Sequence, residues 1–115
     1  MVSDKSPRLD VVFRALAHPT RRAMLRSLSG GERNLSELAA PFLMSFPAAS
    51  KHVRALERAR LVTRRVVGRT HVCRISPAPL RDVSEWAEGF RRFWDEKFDS
   101  LDAYLVELKR KERTP

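Results

Sequence analysis

The sequence predicts a mainly α-helical chain with one small β-hairpin, an α+β domain in which helices dominate. Two observations carry that prediction. Apolar residues recur at three- and four-residue spacing from Leu9 to Leu56 and again from Leu80 to Leu108, the period of helices with one buried face. Between these stretches, Leu61 to Ile75 alternates with period two around Gly68-Arg69, the pattern of two strands joined by a two-residue turn. At 115 residues the chain is one ordinary domain, large enough to bury a core without disulfides or structural metals.

The elements follow in order. Residues 1–8 are polar and read as a flexible tail. Leu9, Val12, Phe13, Leu16 and Ala17 then form a first short helix that His18-Pro19 ends. Pro19 also opens the next helix, with Met24, Leu25 and Leu28 as its inner stripe and Gly30-Gly31 as its stop. Asn34 stands three residues before Glu37, close to a capping box, and starts a third helix with Leu38, Ala39 and Phe42. After a tight connection at Leu43-Met44, the Ser45 hydroxyl caps a fourth helix running to Leu56. On that helix Ala49, Val53 and Leu56 face inward, whereas Pro47, Ala48, Ser50, Lys51 and Arg54 take the outer side.

Two helices joined this closely read as a helix-turn-helix whose second member presents its N-terminal half to a major groove. In the hairpin, Val62, Arg64 and Val66 share a face with His71, Cys73 and Ile75, and the other face is mostly polar. A hairpin with arginines near its tip, directly after such a helix, reads as a wing lying on the phosphate backbone or dipping into the minor groove. Residues 9–79 thus form a winged helix-turn-helix region. Residues 80–110 read as one long helix of about 46 Å at roughly 1.5 Å per residue, and residues 111–115 as a tail. The long helix has an aromatic stripe too extensive for a domain of this size to cover, so it predicts a homodimer.

Charge sharpens the division. The chain carries 23 Lys+Arg against 14 Asp+Glu, a net +9. Residues 1–79 hold 15 of the cations and five of the acids, whereas residues 80–115 hold eight and nine. A polyanion-binding face therefore belongs to the first two thirds, leaving the last third for another task. One cysteine excludes an intramolecular disulfide and a thiolate zinc site, which points to the reducing cytoplasm. No stretch resembles a signal peptide or a membrane span. The four glycines fit neither a P-loop nor a dinucleotide loop, and the three histidines are scattered without a catalytic motif, so the sequence implies no enzyme and no cofactor.

The order of elements resembles the ArsR-type winged-helix transcription repressors over nearly the whole chain, from about Leu9 to Leu108. Leu16-Ala17-His18-Pro19-Thr20-Arg21 is similar to that family's L-x-[DH]-P-T-R helix start. Ser50-Lys51-His52-Val53-Arg54-Ala55-Leu56 is similar to its S-x-H-L-x-x-L recognition helix, and Leu61-Val62 followed by Gly68-Arg69 to its wing. The resemblance implies a homodimer on a pseudopalindromic double-stranded DNA operator. Many members sense metals through a Cys-x-Cys on the third helix, where this chain reads Glu37-Leu38-Ala39-Ala40-Pro41. A second family site uses histidine on the C-terminal helix, and no histidine follows His71. The chain resembles the branch without metal ligands, so no metal site is carried over, and the sequence names no effector.

The expected DNA-contacting residues are Ser45, Pro47, Ala48, Ser50, Lys51, His52 and Arg54 on the recognition helix, and Arg64, Arg65, Arg69 and Thr70 on the wing. The expected dimer interface comprises Leu9, Phe13, Val83, Trp86, Phe90, Phe93, Trp94, Leu101 and Leu105. His18 reads as a helix cap and Cys73 as a small buried hydrophobe. The cluster Trp86, Phe90, Phe93 and Trp94 reads as packing in preference to an effector pocket. Two alternatives stay open at this point: a nucleoid-type DNA binder of low specificity, and a protein-interaction module built on the aromatic helix.

Overall fold

In the computed structural model of the chain, residues 6–113 are described, in two compact units that divide between Val83 and Ser84. The first unit holds α1 (Ser6–Leu16), α2 (Pro19–Leu28), β1 (Arg33–Asn34), α3 (Leu35–Ala39) with a 3₁₀ turn at Ala40–Phe42, α4 (Phe46–Arg58), β2 (Val62–Val67) and β3 (Thr70–Ile75). Helix α5 (Ala78–Glu88) crosses the division, and α6 (Arg91–Arg113) lies in the second unit.

The starts of α2, α3 and α4 are chemically determined. His18 Nδ1 accepts from the Thr20 amide at 3.3 Å and Pro19 opens α2. Asn34 Oδ1 accepts from the Glu37 amide at 2.8 Å while Glu37 Oε1 accepts from the Asn34 amide at 2.9 Å, a complete capping box. Ser45 Oγ accepts from the Ala48 amide at 3.3 Å and starts α4. Caps of this kind are each worth about 1 kcal/mol.

The core of the first unit is one apolar cluster. Met24, Ala49, Val53, Leu56, Leu61 and Cys73 have no exposed surface, and Leu28, Leu35 and Leu38 almost none. Burying one such aliphatic side chain stabilises the fold by about 1.5–3 kcal/mol. The predicted inward stripe of α4 is therefore the centre of the domain, which fixes the side that α4 turns outward.

The sheet has the order β1-β3-β2, all antiparallel, with β1 adding two residues to the predicted hairpin. Its register pairs Val62 with Ile75, Arg64 with Cys73 and Val67 with Thr70, so Gly68-Arg69 is the two-residue loop. Gly68 has φ +63°, the positive value that the first central position of such loops demands. The 3₁₀ turn ends at Leu43, which holds φ +51° without being glycine.

Three boundaries differ from the sequence expectation. Ser6–Arg8 are helical rather than part of a tail, because Pro7 in a first helical turn needs no amide partner. At the other end α6 continues to Arg113, since no glycine or proline intervenes before Pro115. The single helix expected over residues 80–110 is interrupted at Gly89-Phe90. There the amides of Gly89 and Phe90 bond to the carbonyls of Trp86 and Ala87, three residues back, and α6 restarts with Trp94 N–H on Phe90 O at 3.0 Å. A Cβ at Gly89 would stand 3.2 Å from the Trp86 carbonyl oxygen, so the turn has little room for a side chain.

Candidate nucleic-acid interface

The outer side of α4 begins at its N-terminus. Ser45, Phe46, Pro47, Lys51 and Arg54 are exposed, and Ala48 is half-buried. Lys51 and Arg54 thus project from the face opposite Ala49, Val53 and Leu56. Ser50, placed by the sequence on that outer side, is instead buried at 6% exposure. It lies one residue past Ala49 and three before Val53, and its small side chain lets the apolar face of α4 widen over it.

His52 is half-buried and makes internal contacts. Its Nδ1 accepts from Arg21 Nε at 3.2 Å, and its ring centroid is 4.5 Å from that of His18. A nitrogen that accepts from a guanidinium must be unprotonated. Burial first, and then the charges of His18, Arg21 and Lys51, push the His52 pKa below its ordinary value. This neutral imidazole ties α4 to the start of α2.

In the wing the four predicted residues separate into two kinds. Gly68, Arg69 and Thr70 are exposed at the tip. Arg64 is different: its side chain is only 13% exposed, and its Nε donates to Glu57 Oε1 at 3.0 Å while a terminal nitrogen of the guanidinium contacts the same oxygen. Its register partner is the buried Cys73, so it lies on the inner face of the hairpin and joins β2 to α4. Arg65 faces the other way and makes a bidentate pair with Glu32, at 2.5 and 3.0 Å. That bond above all, against an opposing effect of burial and helped by the charges of Arg65 and Arg74, holds the Glu32 carboxyl below its ordinary pKa. Arg65 remains on the surface but already has a counter-ion.

Cys73 is fully buried, and burial raises its thiol pKa, as expected of an inert core residue. Among the described residues no group of three His, Cys, Asp or Glu side chains could hold a metal ion, and no helix is long and apolar enough to cross a membrane.

The expected dimer-interface residues also separate. Val83 packs against the core of the first unit, and Leu9 is half-buried. Phe13 is 36% exposed. In the second unit every side chain from Ser84 to Glu112 is exposed, including Trp86, Phe90, Phe93, Trp94, Leu101 and Leu105. These aromatic rings touch one another along the helix: Trp86 with Phe90 at 5.1 Å, Phe93 with Trp94 at 5.4 Å and Trp94 with Phe98 at 6.3 Å between centroids.

The sequence reading missed Leu43 and Phe46. Leu43, in the turn before α4, is 96% exposed, and Phe46, the first residue of α4, is 51% exposed. The signal for Phe46 was an apolar residue at a position that the helical period of α4 assigns to the outside; Leu43 lies in the turn, where no period applies.

Comparison with known proteins decides the family. A helix-turn-helix domain profile matches residues 16–65. The chain is 36% identical over 94 residues to the HTH-type transcriptional regulator Rv2034 of Mycobacterium tuberculosis, covering 82% of this chain and 83% of that protein. It is 30% identical over 79 residues to the transcriptional repressor SdpR of Bacillus subtilis, covering 69% and 88%. A solved ArsR family transcriptional regulator, RHA00566, superposes with a TM-score of 0.75 at 36% identity, covering 82% of this chain and 97% of that one. This chain belongs to the ArsR family of winged helix-turn-helix regulators. As a member it is a DNA-binding transcriptional regulator, with α3 and α4 as the helix-turn-helix and β2-β3 as the wing.

Proposed function

We propose that this regulator is a homodimeric repressor of a pseudopalindromic operator. The observation that carries the reading is the outward face of α4, where Lys51 and Arg54 stand exposed on a helix whose other side is the centre of the core. Each subunit lays α4 in a major groove and sets Arg69 and Thr70 at the wing tip on the flanking backbone. Ser45, Pro47 and Ala48 line the groove-facing end of α4. Arg65 reaches phosphate when it exchanges its bond to Glu32, and repression follows from excluding polymerase.

The homodimer is supported by the exposed stripe of the second unit, in which Trp94, Leu101 and Leu105 recur at helical spacing with half their surface in water. Two linked subunits match half-sites about 34–36 Å apart. The regulator works in the cytoplasm without a metal effector. Its one thiol lies inside the hairpin, whereas a soft-metal sensor needs several thiolates converging on one ion.

The test is selection of bound fragments from random duplex DNA by the full chain, followed by footprinting. A repressor of this kind enriches one inverted repeat, and Lys51→Glu combined with Arg54→Ala abolishes its footprint while circular dichroism stays unchanged. Enrichment of no common sequence would indicate a low-specificity binder, and a retained footprint in the double variant would remove α4 from the groove.

A further inference from the structure

We propose that the first turn of α4 reads the methyl groups of thymine, with Phe46 as the reading side chain. The inference rests on the reading of α4 as the groove-bound helix and names what that helix recognises.

The first turn carries Phe46, Pro47 and Ala48, none of which has a side-chain hydrogen-bond donor or acceptor. The neighbouring hydroxyls are engaged or hidden, since Ser45 Oγ caps the Ala48 amide and Ser50 is buried. Hydrogen-bonding readout on α4 therefore falls to Lys51 and Arg54, which begin five residues or about 7.5 Å further along the helix axis. The leading end of the helix can recognise only apolar features. In a major groove the base edges offer one, the C5-methyl of thymine, and phenylalanine is among the side chains that contact it.

The Phe46 ring is held in place although it is half exposed. It meets the His71 ring edge-on, with centroids 6.1 Å apart and planes at 69°. His71 Nδ1 lies 3.5 Å from a terminal nitrogen of Arg64, and Arg64 is bound by Glu57 on α4 itself. The contacts thus form a closed circuit from α4 to the wing and back, which fixes the ring before DNA arrives and reduces the ordering cost of binding. Val66 is the ladder partner of His71 and is 60% exposed, extending the apolar surface from Phe46 toward the wing. Lys51, Arg54 and Arg69 are exposed on the same helix and hairpin, so this apolar patch belongs to a cationic surface suited to a polyanion.

The experiment takes the inverted repeat obtained by selection and replaces thymine with deoxyuridine, one position at a time, which removes only the methyl group. At one position in each half-site the wild-type protein should bind the uracil duplex about fourfold more weakly, the effect of exposing one apolar carbon. Phe46→Ala should bind thymine and uracil duplexes alike while keeping the wild-type melting temperature, because the ring is not part of the core. A selection that enriches no common sequence overturns the operator reading and this inference with it. A selected operator on which wild type ignores every thymine-to-uracil change, or on which Phe46→Ala keeps the discrimination, overturns the inference alone.

Discussion

The two units put apolar side chains to opposite use. In the first, the large aliphatics converge on α4 until six residues have no surface left, and the charge that remains outside is strongly positive. In the second, aromatic and aliphatic residues stand in a row with half their area in water, among acids and bases in near balance. Apolar content alone therefore does not make a core. A helix pair by itself cannot enclose its own stripe, so on the proposed reading the second unit gains its stability from a second copy, whereas the first is stabilised by what it already encloses.

The sharpest break of this contrast is Trp94→Glu. A charge placed in the apolar seam should dissociate the dimer in sedimentation equilibrium and lower affinity for a two-half-site operator by ~10²–10⁴, the gain that linkage provides. Unfolding of the first unit should be little changed. If the wild-type chain sediments as a monomer at micromolar concentration, the contrast between the units has been misread.

Leu56→Ala against Leu105→Ala sharpens the same comparison from the folding side. Leu56 has no exposed surface, so its truncation should cost about 2–5 kcal/mol in denaturant unfolding. Leu105 is 46% exposed within its own subunit, and its truncation should weaken association without a comparable loss of subunit stability. Equal losses from the two variants would erase the distinction.

A smaller effect separates the wing tip from the wing base. Arg69→Ala should reduce the slope of log affinity against log salt by about one unit and leave base preference alone. Arg64→Ala should lower folding stability instead, because it leaves Glu57 without its guanidinium. Gel-shift titrations at several salt concentrations, paired with thermal melts, distinguish the two.

The smallest effect is a pH dependence confined to the first unit. The folded His52 pKa lies below the ordinary value of 6.5, so the unfolded chain binds its proton first as pH falls. The stability contributed by neutral His52 is complete above about that ordinary value and is lost as pH falls toward the folded one. Melting temperatures between pH 5 and pH 8 should therefore rise with pH, and His52→Gln should flatten the curve.

Much of this was legible in the chain. Local chemistry announced the caps at His18, Asn34 and Ser45, and period-two alternation with Gly68 set the hairpin register to the residue. The register also placed Arg64 opposite Cys73, yet the sequence reading kept Arg64 among the expected DNA contacts; its pairing with Glu57 on α4 was not legible. Other features depend on partners distant in sequence. Arg65 and Glu32 are 33 positions apart, and β1 pairs with β3 through Arg33 with Cys73 and Asn34 with Val72, partners farther apart still. Ser50 has the composition of an outward residue, and only the packing around Ala49 and Val53 shows that α4 buries a face one residue wider than its leucine spacing suggests. The break at Gly89 was masked because the apolar period runs through it without a change of phase.

The bridge from Glu57 to Arg64 ties α4 to the base of the wing. On the proposed reading, the interval between what α4 touches and what Arg69 touches is set inside each subunit and stays the same from site to site. In the proposed dimer, variation among operators would then be taken up between subunits, in the number of base pairs separating the two halves, and a signal that released the protein would act by changing that separation rather than by reshaping either reading head.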